Sequence, residues 1–375
     1  MACTIPQTNT PKHAWIFSNH ETRHVVGKGI GAVNARRGLA RALLPTGAEP
    51  SLIANTVPCD LGTTVEQKLA YADEYIREML KIYAEPDFVV TGWGDLEATK
   101  MTLALKNYCP DVKIIFIGSQ KHLSTITRAE RDHLDLILYP DFLIADGAPL
   151  PDKRMRRIRY IPHHLVRDMP TQLPQHFEEW ISEQERQQFT LMMIGAPDSE
   201  SYNNSQEKLA AAEIMGHIDA IRDSGRSVMI SSSPRTPKGL FHRIQDYCSE
   251  DAHIICYEWQ ANDPNNPYPA VLKHRGLQGV GFTPDSISMP CEALISGAPL
   301  FIIAARHYWC DNRSVGDCLT QMIRDGLISH MDKLREKDMQ FPRKQHPFCT
   351  SRDAAEKVRE FFGWKSNILG QHHRL

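Results

Sequence analysis

Short apolar runs rich in β-branched residues alternate with segments of helical periodicity along this chain, and the alternation happens twice, with one polar interruption. No other feature narrows the fold as much, because strand, amphipathic helix and strand in succession is the sequence form of a parallel βαβ unit. The first series places strands at 14–18, 51–57, 87–93, 112–118 and 134–139, with 157–161 as a further candidate. Helices fall at 31–44, where Ala35, Leu39, Ala40 and Leu43 share a face, at 63–83 and at 96–108. Between 166 and 188 the chain turns rich in proline, glutamine and glutamate, with Pro170, Pro174, Glu178, Glu179, Glu183 and Glu185, and reads as a linker. The alternation restarts with strands at 189–194, 227–231, 252–257, 278–282 and 299–304, and with helices at 206–223, 237–247, near 268–274 and at 286–296. A last amphipathic helix covers 353–362. The fold class expected is α/β, with two Rossmann-like domains facing a cleft: 1–165, a linker at 166–188, 189–350, and a terminal segment at 351–375.

Composition agrees with two cores and removes some functions. At 375 residues, 42% of them apolar, the chain exceeds one ordinary core and can bury two. A net charge of −2 argues against a dedicated nucleic-acid binder, so any anion must be met by a local site. The nine cysteines include no C-x-x-C pair and most of them sit in or beside apolar runs, which suits reduced thiols in a reducing compartment. No run approaches the roughly 18 to 20 apolar residues that span a bilayer. The first residues lack a charged segment followed by an apolar one, so the expectation is a cytoplasmic protein. The basic cluster Lys153, Arg154, Arg156, Arg157 and Arg159 reads first as a solvated face, with peripheral contact to a membrane left open.

Ligands of open α/β sheets bind outside the carboxyl ends of the strands, so the turns that follow strands are where chemistry is sought. After the strand at 278–282, Asp285, Ser286 and Ser288 open a helix that carries Glu292, and Gly297 and Pro299 close the unit. Hydroxyls and unbonded N–H groups at a helix start hold phosphate, and a carboxylate accepts from both hydroxyls of a ribose. Ser231, Ser232, Ser233, Arg235 and Thr236 lie in the turn after the strand at 227–231, where a guanidinium beside hydroxyls suits a diphosphate. Gly195, after the strand at 189–194, is a weaker candidate for close approach of backbone to ligand. Plain helix capping and a polar loop are the competing readings of these turns.

In the first half, Ser18-Asn19-His20-Glu21-Thr22-Arg23-His24 precedes Gly27, Gly29 and Gly31. The glycine spacing is G-x-G-x-G and not the dinucleotide G-x-G-x-x-G, which demotes NAD. His20, Glu21 and, after the strand at 87–93, Asp95 are the candidates for a general base; a mobile loop and a helix cap are the plainer alternatives. No D-x-D, H-E-x-x-H, G-x-S-x-G or P-loop pattern is present, so no metal site and no separate cofactor is expected.

Taken in order, Ser232-x-x-Arg235-Thr236-Pro237, Asn266-Pro267-Tyr268 and Thr283-x-Asp285-Ser286-x-Ser288-Met289-x-x-Glu292-Ala293-x-x-Ser296-Gly297-x-Pro299 resemble the plant mitochondrial fission factor family, the "elongated mitochondria" proteins. The match is specific over about 189–305 and looser upstream, at Asn34-x-x-Arg37-Gly38-Leu39-Ala40 and Thr91-Gly92. The family's Asp-Gly-Xaa-Gly opening is replaced by Ser18-Asn19-His20-Glu21.

Its bacterial relatives are taken to be GT-B type glycosyltransferases. The resemblance therefore implies a GT-B fold, with a nucleotide-sugar donor on the second domain at Gly195, Ser232, Arg235, Thr236, Asp285, Ser286, Ser288, Met289 and Glu292. An acceptor, whether glycan, lipid-linked or protein, is implied on the first domain. Three functions follow as expectations: metal-independent glycosyl transfer, a noncatalytic adaptor of membrane fission, and sugar-nucleotide epimerisation. In proteins of the resembled fold the last helix crosses back to the first domain, and the same is expected of 351–375.

Overall fold

A computed structural model of the chain describes residues 10–18, 30–54, 65–92, 96–144, 148–165, 172–182, 188–196, 203–260, 263–304, 306, 313–335 and 347–365. The chain forms two compact units, one of Met1–Asp168 with Thr350–Leu375 and one of Met169–Cys349.

In the first unit the strands are β1 (Ala14–Ser18), β2 (Ser51–Ala54), β3 (Phe88–Gly92), β4 (Lys113–Ile117), β5 (Leu136–Pro140) and β6 (Met155–Ile158). Their helices are α1 (Ile30–Leu43), α2 (Val65–Ile82), α3 (Leu96–Leu105), α4 (Gln120–Leu123) and α5 (Arg128–Asp132). The order across the sheet is β2-β1-β3-β4-β5-β6, all parallel. β3 and β5 are buried along their whole length, so they read as continuous apolar runs, as strands covered on both faces do. The order reverses between β1 and β3, the switch point of a doubly wound sheet.

The second unit begins with α6 (Gln175–Ser182), inside the stretch that composition marks as a linker. Phe177, Trp180 and Ile181 of this helix are buried, and the Trp180 indole donates to the Ala252 carbonyl at 3.1 Å. That stretch is thus partly a packed element, because three apolar residues at helical spacing outweigh the polar residues around them. Then come β7 (Phe189–Ile194), α7 (Asn204–Asp223), β8 (Ser227–Ser232), α8 (Lys238–Cys248), β9 (Ile254–Tyr257), α9 (Tyr268–Val271), β10 (Leu277–Phe282), α10 (Ser288–Ala293) and β11 (Leu300–Ile302). They are followed by α11 (Arg313–Arg324), β12 (Ile328–His330) and α12 (Met331–Arg335), three elements that the sequence pattern leaves unassigned. The sheet runs β12-β11-β10-β7-β8-β9, also parallel throughout, and it reverses between β7 and β10.

The last helix, α13 (Thr350–Phe362), belongs to the first unit. Its Ala354, Ala355 and Val358 share a buried cluster with Ile16, Leu39 and Leu43. Thr350 Oγ1 donates to the Ile161 carbonyl at 2.7 Å, and Ser351 Oγ donates to that of His163 at 2.6 Å. Much of the basic cluster is spent on the fold itself: Arg154 binds Asp152 and the Leu134 carbonyl, Arg156 lies over the Phe361 ring, and Arg157 binds the Ala148 carbonyl. Among the described residues no helix is long and apolar enough to cross a membrane.

Candidate functional site

Parallel register brings three strand ends of the second unit to one level. Ile194 of β7 lies opposite Ser232 of β8, and Phe282 of β10 lies opposite Met193 of β7. The turns that follow these strands therefore emerge side by side at the switch point, where crossovers diverge to opposite faces and leave backbone exposed to a ligand.

A polar interlock joins the three turns. Thr283 Oγ1, fully buried, accepts from the Gly195 N–H at 2.8 Å and donates to Asp285 Oδ1 at 2.6 Å. Asp285 Oδ2 accepts from the Ala196 N–H at 3.1 Å and from Arg235 Nη2 at 2.6 Å. The Asp285 side chain is 0% exposed and that of Arg235 is 31% exposed. Burial raises the Asp285 carboxyl above its ordinary value, while Arg235, Thr283 and Ala196 pull the other way. Gly195 is needed here for a reason unlike the one read from its position: a Cβ on it would overlap both Asp285 oxygens. Gly195 and Asp285 thus face each other.

Other hydroxyls of the sequence motifs also turn inward. Thr236 Oγ1 donates to the Ile194 carbonyl at 2.5 Å and accepts from the Ser233 N–H at 2.7 Å. Ser232 Oγ accepts from the Trp259 N–H at 2.7 Å, which fixes the loop after β9 to the end of β8. These bonds hold Arg235 on a rigid turn, half-buried, with its guanidinium at the junction of the three turns.

The start of α10 supplies the other side of the site. Ser286 Oγ accepts from the Met289 N–H at 3.3 Å, in the manner of a cap, whereas Asp285 takes no part in capping. Ser288 and Met289 are half-buried. Glu292, 7% exposed, accepts from the Tyr268 hydroxyl at 2.8 Å, and the Tyr268 N–H donates to Asn266 Oδ1 at 3.0 Å. Burial first, then the charge of Glu292, pushes Tyr268 well above its ordinary value, so it remains a neutral donor. The Asn266-Pro267-Tyr268 turn is therefore a support for the helix that carries Glu292. Thr283 and Tyr268 stand in the motif, but the sequence assigns them no role; for Thr283 a hydroxyl two positions before an acid is the available signal, and for Tyr268, 24 positions from Glu292, there is none.

His20, Glu21 and Asp95 lie outside the described residues, in the segments that follow β1 and β3 in the chain. Those strands are neighbours on either side of the switch point of the first sheet.

Two doubly wound parallel units in one chain define an α/β protein of the GT-B type, and solved structures of that fold resemble it over most of its length. A putative UDP-N-acetylglucosamine 2-epimerase from Listeria monocytogenes is 11% identical, with a TM-score of 0.53 over 95% of this chain and 97% of that one. A UDP-glucosyltransferase from Polygonum tinctorium capable of glucosylating indoxyl is 12% identical, with a TM-score of 0.50 over 96% of this chain and 100% of that one. At such identities the likeness is one of fold. The family model "Mitochondrial fission ELM1" matches residues 128–362, more than half of the chain, and the chain belongs to that family. No curated protein matches it.

Proposed function

We propose that this chain binds a nucleoside-diphosphate sugar on its second unit and transfers the sugar to an acceptor hydroxyl without a metal ion. The observation that carries the proposal is the interlock at the switch point of the second sheet, which holds a guanidinium beside the Ser286 and Ser288 turn. Solved structures of the same fold are named for UDP-sugar substrates, which is the ligand class this arrangement suits.

In the proposed reaction charge builds on the diphosphate as the bond to the sugar breaks. Arg235 and the hydroxyls of Ser286 and Ser288 are the donors, and they do the work a cation does elsewhere. Met289 adds packing at the same turn. Glu292 lies on the same helix, and a carboxylate can accept from ribose hydroxyls. One of His20, Glu21 and Asp95 takes the acceptor proton.

Calorimetry with UDP, GDP, ADP and CDP tests the reading. A ligand at 100 times its dissociation constant adds about 2.7 kcal/mol of stability. Arg235→Ala and Glu292→Ala are each expected to lose one charge-assisted hydrogen bond, about 1.5 to 3 kcal/mol or roughly 10- to 150-fold in affinity, with the fold intact. Unchanged affinity in both variants removes the site. Binding is expected to survive EDTA; loss restored by Mg²⁺ or Mn²⁺ overturns metal independence.

Epimerisation is the second reading, favoured by the epimerase of like fold. It is told apart by incubation of a UDP-sugar with no acceptor, where an epimerase alone alters the sugar. A chain that binds no nucleotide supports the adaptor reading that the family name suggests.

A further inference from the structure

We propose that Asp285 is a positioning residue for the diphosphate: it holds the guanidinium of Arg235 in the orientation that meets phosphate, and it does not itself touch the ligand. The inference rests on the function proposed above and adds to it a residue that acts through another.

A carboxylate beside a phosphate-binding arginine can play two opposite parts. It can be a stand-in anion that the phosphate displaces, so that its removal strengthens binding. Alternatively it can grip the arginine from behind, so that its removal weakens binding. Burial decides between them here. The Asp285 side chain is 0% exposed, against 31% for Arg235, so the carboxylate lies on the protein side of the pair. Its oxygens are also held by Thr283 Oγ1 at 2.6 Å and by the Ala196 N–H at 3.1 Å, from the turns after β10 and β7. Displacing it would strand these donors in a buried place, which is far less favourable than leaving it in place. The contacts of Arg235 to residue 285, at 2.6 Å to Oδ2 and 3.3 Å to the carbonyl, all use Nη2. Nη1 and Nε stay outside that grip, and their N–H groups, on either side of Nη2, remain able to donate singly to phosphate oxygens. Gly195 belongs to the same device, since any Cβ there would push the carboxylate out of its seat.

The groups facing Asp285 among the described residues are Arg235, Thr283 and the Ala196 N–H, one from each turn, and Arg235 is the charged one. Burial raises the carboxyl against these donors. Protonation removes the acceptor for Nη2, so the grip is expected to fail as pH falls, at a pH above the value of about 3.9 of an unperturbed aspartate.

UDP binding to the full chain, measured by calorimetry, tests the proposal in the wild type, Arg235→Ala, Asp285→Asn and the double variant. Each single change is expected to weaken UDP by about 10-fold or more, and the double variant to be no weaker than Arg235→Ala alone. Additive losses, or tighter binding by Asp285→Asn, overturn the positioning role. The ratio of wild-type to Asp285→Asn affinity is expected to be large at neutral pH and to fall toward one on acidification. Titration of UDP itself enters both proteins equally and cancels. A ratio that is flat with pH overturns the role. Should Asp285→Asn fail to fold, the ratio of wild type to Arg235→Ala carries the same test, since the benefit of Arg235 must vanish as Asp285 is protonated. A wild type that binds none of UDP, GDP, ADP and CDP overturns the functional reading and this inference with it, whereas nucleotide binding with Arg235→Ala weakened and Asp285→Asn unaffected overturns the inference alone.

Discussion

Gly38 on α1 has no room for a side chain: a Cβ there would overlap the His163 carbonyl and come within 2.8 Å of Ser351 Oγ. Ser351 Oγ accepts from the His163 N–H at 2.8 Å and donates to the His163 carbonyl at 2.6 Å, so three distant segments meet at this glycine. Gly38→Ala is expected to destabilise the protein by about 1 to 3 kcal/mol, the usual range for overpacking. An unchanged melting temperature by circular dichroism would show that the junction yields. Contacts of this kind explain what the sequence leaves hidden at the residue scale. The turns that hold Arg235, Asp285 and Gly195 were legible from their places after strands. That Gly195 makes way for Asp285 was not, because the two are brought together by β7 and β10 pairing across some ninety positions of chain. Polar residues at strand ends look alike in sequence whether they serve a ligand or one another.

Among the elements, the pattern located most strands within a few residues, since a parallel strand buried on both faces is a short, β-branched apolar run bounded by turn residues. It failed where composition and periodicity disagree. Phe177, Trp180 and Ile181 have helical spacing but sit among glutamates and prolines, so the segment resembles a linker while it packs as α6. β12 is three residues long and lies at a sheet edge, too short to show alternation. The packing of α6 has a measurable consequence. Trp180 is 8% exposed, lies edge-on to Phe189 at 6.1 Å between ring centroids, and donates to the Ala252 carbonyl. Trp180→Ala is expected to lower unfolding stability by about 3 to 5 kcal/mol, as for other buried aromatic truncations. Denaturant unfolding that is indifferent to the change would restore the linker reading of this segment.

At the scale of the whole molecule the two units differ in how the chain builds them. The second is continuous, Met169–Cys349, and carries its own cluster around Ile214, Ile218, Ile230 and Phe241 together with every described residue of the candidate site. The first is discontinuous, because its sheet and α1 are completed by Thr350–Leu375. Ala354, Ala355 and Val358 of α13 are each 0% exposed, and they cover Leu39, Leu43 and Ile16, which would otherwise present an apolar face to water. A continuous unit that owns both its core and its site should survive excision, and a discontinuous one should not survive loss of its last piece. Residues 169–349 made alone are therefore expected to unfold cooperatively and to bind UDP about as tightly as the full chain. Residues 1–168 made alone are expected to lack a cooperative transition, and to regain one when 350–375 are joined to them through a flexible linker. Differential scanning calorimetry of the three pieces reads both outcomes. A sharp transition in 1–168 without its last helix would mean that the sheet and α1 bury enough surface by themselves, and that α13 is an attachment to the first unit and not part of its core.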